Sequence, residues 1–313
     1  MARSRRIPND LRKNIWITDF KKNIWKYIIV LPVIVYLILF CYKPMYGILI
    51  AFQRYRPTQG GILNGTWKGL YQFKRFLNDI YFWRVLKNTF RISFLSIIFS
   101  FPMPIILALV LNEVKSKWFK RCVQTVSYLP HFISAVVICG LIHQFCRTDG
   151  LINDIIAFFG GERTPLLLDK DAYLPIYIIS DIWQTVGWNS IIFLAALASV
   201  DQEQYEAARI DGAGRFQQMI HITLPSILPT IAMMLVLRLG KVLSIGYEKT
   251  LLLYQPSTYE VADIISTYAY QNGLLDGDYS YSTAIGLFNS VINIVFLLVS
   301  NKLSKKLGQS GLF

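Results

Sequence analysis

Long apolar runs alternate with short polar segments along this chain of 313 residues, and the runs carry almost no charge. Six of them fit membrane-spanning helices, because about 20 residues at 1.5 Å each cross about 30 Å of hydrocarbon. The first covers Tyr27 to Cys41. Its core is short for a crossing, so the pattern predicts a kinked continuation through Lys43-Pro44 to Phe52. The others cover Asn88 to Leu111, interrupted by Pro102 and Pro104; Cys122 to Phe145, with Pro130 inside; Tyr173 to Leu197; Pro225 to Ile245; and Thr283 to Asn301. The expected fold is therefore all-α, a polytopic membrane protein with six transmembrane helices.

The connecting segments have their own character. Between the first two runs, Gly60-Gly61 and Asn64-Gly65 are turn signals, and Leu70 to Leu86 is expected to form an amphipathic helix at the outer interface. Trp67, Tyr71, Phe73, Phe76, Tyr81, Phe82 and Trp83 suit an interfacial aromatic belt. Arg147 to Ala172 and Tyr247 to Ser282 read as outer segments. Asp201 to His221 reads as a polar, small-residue connector between the fourth and fifth spans.

Composition agrees with a membrane location. The chain is 54% hydrophobic and 16% charged, against about a quarter charged in an ordinary soluble domain. Its net charge of +13 comes from Lys and Arg flanking apolar runs, as the positive-inside rule expects. A nucleic-acid binder would spread them over a folded polar surface. Residues 1–26 form a basic arm expected in the cytoplasm; residues 27–304 form the membrane domain; residues 305–313 form a second cytoplasmic tail. The first apolar run reads as a signal anchor retained as the first span, since no small-residue cleavage site follows it. One segment resists the charge rule: Gln53 to Lys87, placed outside, carries Arg54, Arg56, Lys68, Lys74, Arg75, Arg84 and Lys87. The four cysteines show no CxxC pairing and read as small buried hydrophobes; the three histidines are too scattered to suggest a metal site.

The most specific motif is EAARIDGAGRFQQMIHITLP, residues 206–225. Glu203 to Ile210 and Gly214 to His221 can each form a short helix, with Asp211-Gly212 as the turn between them. Pro225 stands where a new helix can begin. Ala207, Ala208, Gly212 and Ala213 are small enough for a partner surface to approach the backbone, while Glu206 and Asp211 offer carboxylates. The spacing from Glu206 to Leu224-Pro225 resembles the EAA loop of ABC importer permeases, within a connector spanning 201–225. The stretches PMYGILIAFQRY, NDIYFWRVLKNTF, PIILALVLNEVKSKWFKRCVQTVSYLPHFIS and WNSIIFLAAL extend the resemblance to the carbohydrate-uptake permeases, and within them to the branch for polysaccharides or complex oligosaccharides.

That resemblance implies a type I importer permease that docks its loop in a cytoplasmic ATPase subunit. It implies a second related permease, two ATPase subunits, an external solute-binding protein, a saccharide cargo and no nucleic acid. ATP and Mg would be bound by the partner ATPase, with no cofactor in this chain. A bacterial cytoplasmic membrane with both termini inside is the implied location. Consistently, the sequence has no GxxxxGK[ST] phosphate-binding loop and no nucleophile–His–carboxylate grouping, so it is not expected to be an enzyme. Two rivals stand beside this reading: an ABC permease for a peptide, amino acid or anion, and a secondary transporter driven by an ion gradient.

Ionisable groups inside spans cost about 2.5–3.5 kcal/mol at a helix centre and so need a purpose. Asp181, Gln184 and Trp188 recur at i, i+3, i+7 on the fourth span; Arg238 and Lys241 share a face of the fifth. These faces either line a substrate path, with Trp183 or Trp188 stacking on a sugar ring, or pair internally, Asp181 with Arg238 and Glu248 with Lys241. A snorkelling Arg238 is a further alternative. The two cations also raise an acidic cargo, such as a uronate-containing glycan. Asn289 and Asn293 on the sixth span suit interhelical hydrogen bonds.

Overall fold

Prolines punctuate the spans, and the backbone widens ahead of them. Three stretches of π-helix, Leu37–Tyr42, Ser96–Ser100 and Met219–Thr223, each end two residues before a proline: Pro44, Pro102 and Pro225. Proline lacks the donor for an i→i−4 bond, and its ring presses on the carbonyl four residues back. An i→i−5 turn relieves both; Phe101 N–H donates to Ser96 O at 3.1 Å across such a turn. The spans therefore bend without breaking. In this computed structural model, residues 20, 22–244, 246–306, 308 and 311 are described. Most of the basic N-terminal arm and of the C-terminal tail lies outside them.

Among the described residues the fold is all-α apart from one two-stranded hairpin, Gln53–Arg54 paired antiparallel with Thr66–Trp67. Five helical segments among the described residues are long and apolar enough to cross a membrane: Ile24–Phe52, Phe82–Glu113, Ala135–Phe158, Arg215–Leu239 and Tyr279–Lys306. The pair Lys170–Ala198 and Gln202–Ile210, bent by 68°, supplies the sixth. The first span runs unbroken through Lys43-Pro44 for 29 residues, as its short core required. The rest of the chain buries none of Ile24–Tyr36, so that rod faces lipid or another subunit.

Several boundaries differ from the apolar pattern. The second span starts at Phe82, six residues before Asn88, because Asp79 terminates the interfacial helix Tyr71–Leu77: its carboxylate accepts Tyr81 N–H at 2.8 Å. Leu70 to Leu86 is thus two helices rather than one. The third span divides. Lys117–Tyr128, N-capped by Ser116, passes through a 3-10 turn, Leu129–Phe132, and a second helix begins at Ala135 with Ser134 as its cap. Pro130 lies at that break, in a stretch that the apolar pattern reads as one span, Cys122 to Phe145. The fifth span starts at Arg215, so Pro225 lies ten residues inside it instead of opening it.

The second, fourth and fifth spans pack together around Ile105, Ala108, Phe193, Leu197 and Ile227. Gly187 lets the fourth span touch Ser127 of the Lys117–Tyr128 helix, with no space for a Cβ. Within Tyr247 to Ser282, read from sequence as an outer segment, residues 247–275 form short helices packed on the spans. Asn88 on the second span donates to the carbonyls of Glu260 and Asp263, at 2.9 and 3.0 Å.

Candidate functional site

The 201–225 segment folds as a hook. Asp201 caps the first helix, Gln202–Ile210, by accepting Glu203 N–H at 3.0 Å. Gly212 then takes φ +79°, a region costly for any residue with a Cβ. The turn is closed by Ala213 N–H on Ala208 O at 2.8 Å and Gly212 N–H on Arg209 O at 3.1 Å. Gln217 reaches back to Gly214 N–H at 2.9 Å, and Gln218 donates to Ala213 O at 2.7 Å. Tyr205 and Thr223 hydroxyls meet at 2.9 Å, fastening the first arm to the base of the second. The hook is stiff because local capping bonds fix every turn of it.

Its outward face is open. Nothing lies within 4 Å of a Cβ built on Gly212, so the glycine serves the backbone angle rather than a close approach within the chain. Glu206, Ala207 and Asp211 are exposed and Ala208 and Ala213 half-buried. Ala208, Asp211, Gly212 and Ala213 share a concavity of about 330 Å³ with Gln217, Gln218, His221 and Ile222. Leu224 and Pro225 lie behind it, on the shaft of the fifth span. Two large apolar side chains flank the turn: Ile210 is 87% exposed and Phe216 69% exposed. Such exposure beside a polar loop marks a contact surface. The sequence reading passed over both residues because it weighed the small and acidic positions; their apolar character at a solvent-facing turn was the available signal.

The hook joins the fourth and fifth spans, and these hold the intramembrane charges. Arg238 donates to Ser96 Oγ at 2.7 Å, Ser96 Oγ donates to Asp181 Oδ2 at 3.3 Å, and Arg238 and Asp181 approach to 3.7 Å. Ser96, in the π-turn of the second span, thus bridges an ion pair between the other two. Its role depends on three distant segments and was not readable from spacing. Beside the pair lies a cavity of about 290 Å³ with Thr185, Asn189, Phe193, Met234, Arg238 and Lys241 in its wall. Arg238 and Lys241 do converge there, although the helix ends at Leu239 and Lys241 sits in the following turn. Gln184 and Trp188 do not line it. From the fourth span the cavity wall takes Thr185, Asn189 and Phe193, at i, i+4, i+8, while Asp181 reaches the site only through its pairing with Arg238. Trp188 instead stacks on His131 at 4.5 Å, with planes 4° apart, and meets Phe132 edge-on. Among the described residues Lys241 and Glu248 form no ion pair. Asn293 accepts Leu243 N–H at 2.9 Å and donates to Ser244 Oγ at 2.7 Å, satisfying backbone freed where the fifth span ends.

Comparison with known proteins fits this arrangement. Residues 100–309 match the family described as binding-protein-dependent transport system inner membrane component. Protein LplB of Bacillus subtilis (strain 168) is 45% identical over 299 residues, covering 95% of this chain and 94% of that protein. The polygalacturonan/rhamnogalacturonan transport system permease protein YteP, from the same organism, is 45% identical over 288 residues, covering 92% and 89%. Among solved structures, a bacterial alginate ABC transporter in complex with an alginate pentasaccharide-bound periplasmic protein contains a chain that superposes with a TM-score of 0.86 at 42% identity. That match covers 94% of this chain and 99% of the other. The chain belongs to the binding-protein-dependent transport system inner membrane components, the multi-pass permeases of ABC importers.

Proposed function

We propose that this permease carries a saccharide, an oligosaccharide or a polysaccharide fragment, by alternating access driven from a separate ATPase. The observation that carries the reading is mechanical: the stiff hook joins the same two helices that wall the charged cavity. A force on the hook must move those walls relative to the second span. Glu206, Ala207, Ala208, Asp211, Gly212 and Ala213, with Ile210 and Phe216 beside them, form the ATPase-facing surface, and Leu224-Pro225 pass its motion into the fifth span. ATP and Mg act on the partner ATPase. Asp181, Arg238, Lys241, Thr185 and Asn189 face the passing cargo; Gln184 and Trp188 support it from behind.

The relatives with polygalacturonan, rhamnogalacturonan and alginate in their names support a saccharide cargo. An external solute-binding protein, two ATPase subunits and a second, non-identical permease complete the assembly. Six crossings put the hook and both chain ends on one side, so a hook seated in a cytoplasmic ATPase places both termini in the cytoplasm. The test is uptake into proteoliposomes holding the assembled importer, with oligosaccharides, amino acids, peptides and inorganic anions offered in turn. ATP-dependent accumulation of an oligosaccharide, abolished by Glu206→Arg together with ATPase co-purification, is expected. Accumulation of only a non-saccharide, or uptake that an ion gradient drives without ATP, overturns the reading.

A further inference from the structure

The face opposite the hook carries a second polar cavity that transport through the bundle does not use. It is a cleft of about 550 Å³, within the range of small-ligand sites, between the hairpin that follows the first span, the helix Tyr71–Leu77 and the start of the sixth span. It shares no wall residue with the cavity beside Arg238. Four cations line it, Arg54, Arg56, Lys68 and Arg75, against two carboxylates, Asp276 and Asp278. Arg75 is engaged: it pairs with Asp278 at 2.6 Å and lies over the Tyr281 ring at 4.1 Å. Arg54, Arg56 and Lys68 have no carboxylate partner among the described residues. Arg54, Arg56, Lys68 and Arg75 are four of the seven cations of 53–87 that run against the positive-inside rule, gathered here in one place.

A second observation points to the kind of anion. Gln72 also lines the cleft; its side chain is only 5% exposed, and Oε1 has no hydrogen-bond partner among the described residues. A buried, unmatched acceptor calls for a donor on the occupant, which a bare carboxylate or phosphate lacks and a hydroxyl supplies. The cleft also continues. Tyr71 and Arg75 are shared with an adjoining concavity of about 710 Å³ walled by Asn78, Tyr81, Tyr268 and Asn272, amide and phenol groups suited to hydroxyl-rich units. Anionic oxygen, hydroxyl donors and extended length together describe a uronate-containing oligosaccharide.

We propose that this groove is an outer-face subsite for an acidic saccharide, in which Arg54, Arg56 and Lys68 hold a uronate carboxylate and Gln72 accepts from a neighbouring hydroxyl. The inference rests on the saccharide reading above and adds a class of cargo and a place where it is held outside the bundle. The subsite captures the charged end of a chain before the transmembrane path admits it.

The test uses the assembled importer in nanodiscs of zwitterionic lipid, without its solute-binding protein. The probes are a galacturonate trimer and the same trimer with its carboxyls reduced to alcohols. Charge-assisted bonds to three cations predict that Arg54→Gln/Arg56→Gln/Lys68→Gln weakens uronate binding by about tenfold or more. The reduced trimer binds poorly to both proteins. Because these three side chains are exposed and unpaired, the variant keeps its assembly, checked by co-purification of the ATPase; Gln72→Leu gives a smaller loss for the uronate. Equal uronate affinity in wild type and triple variant overturns the subsite. So does uronate binding that disappears in wild type when anionic lipid replaces the zwitterionic lipid, which assigns the groove to a headgroup. Uptake into proteoliposomes holding the complete importer with its solute-binding protein separates the two levels: saccharide uptake with no effect of the triple variant on uronate binding removes only the subsite, whereas absence of any saccharide uptake removes both.

Discussion

The hook at 201–223 and the charged bridge at Ser96, Asp181 and Arg238 sit at the two ends of the same pair of helices, yet they are built on opposite plans. The hook spends its hydrogen bonds on its own backbone: Asp201, Gln217 and Gln218 all cap neighbours within five residues. Its outward side chains stay uncommitted. The bridge spends its side chains on one another across sequence separations of 57 to 142 residues, leaving no local trace. An element made to meet a partner is stiff within and free outside; an element made to change its arrangement is bonded across helices that must move. Breaking the first should spare the folded chain and stop transport, whereas breaking the second should cost the fold itself.

The largest effect is expected from Asp181→Ala. It strands Arg238 within the bundle, and a fully buried pair so broken costs about 3–5 kcal/mol. Here both side chains keep some exposure, 17% and 31%, so roughly 2–3 kcal/mol is expected, read as a lowered thermal midpoint in detergent. Asp181→Asn/Arg238→Gln should recover much of it; a double variant no better than the single denies the pairing. Next is Gly212→Val, which forces a β-branched residue to φ +79° at about 1–2 kcal/mol of local strain. ATP-dependent uptake should fall to background while the thermal midpoint moves far less than for Asp181→Ala. A smaller effect follows Tyr205→Phe, which removes one hydroxyl contact between the arms of the hook, about 1 kcal/mol. Transport should slow several-fold with ATPase attachment retained.

The smallest effect concerns the outer shelf. Burial alone would raise the pKa of Asp79, but bonds from Tyr81 N–H and the Tyr281 and Tyr268 hydroxyls outweigh it and hold the carboxyl below its ordinary value. A carboxylate lowered on folding stabilises the native state above its unfolded pKa, and that contribution fades as pH falls through the lowered folded value. Acid stability of the wild type should therefore decline more steeply below about pH 4 than that of Asp79→Asn. Parallel curves would show that the two tyrosines gain nothing from the charge.

What the sequence disclosed follows the same division. The spans were legible because apolar length is a local property, and the hook because caps, small residues and a turn glycine sit within 20 positions. The first span's passage through Lys43-Pro44 followed from length alone. The split of the third span at Pro130 was misjudged, since proline is compatible with a kink or a break and only Ser134 as a new cap decides. Which side of the fourth span meets the cavity was not legible: Gln184 and Trp188 are the more conspicuous side chains, yet the neighbours of the span orient Thr185 and Asn189 toward the space. Ser96 could not be found at all, because a serine in an apolar run is ordinary until Asp181 and Arg238 are placed beside it.

The central claim is that the hook moves the walls of the cavity between the fourth and fifth spans. It is tested most directly by spin labels at Thr185→Cys on the fourth span and at Leu237→Cys, which lines the same cavity from the fifth, in a chain with Cys41, Cys122, Cys139 and Cys146 replaced, within the assembled importer. The label separation should shift when ATP binds and stay fixed when Gly212→Val is added with the ATPase still attached. An unchanged shift in the Gly212→Val importer, or none in its parent, contradicts the account.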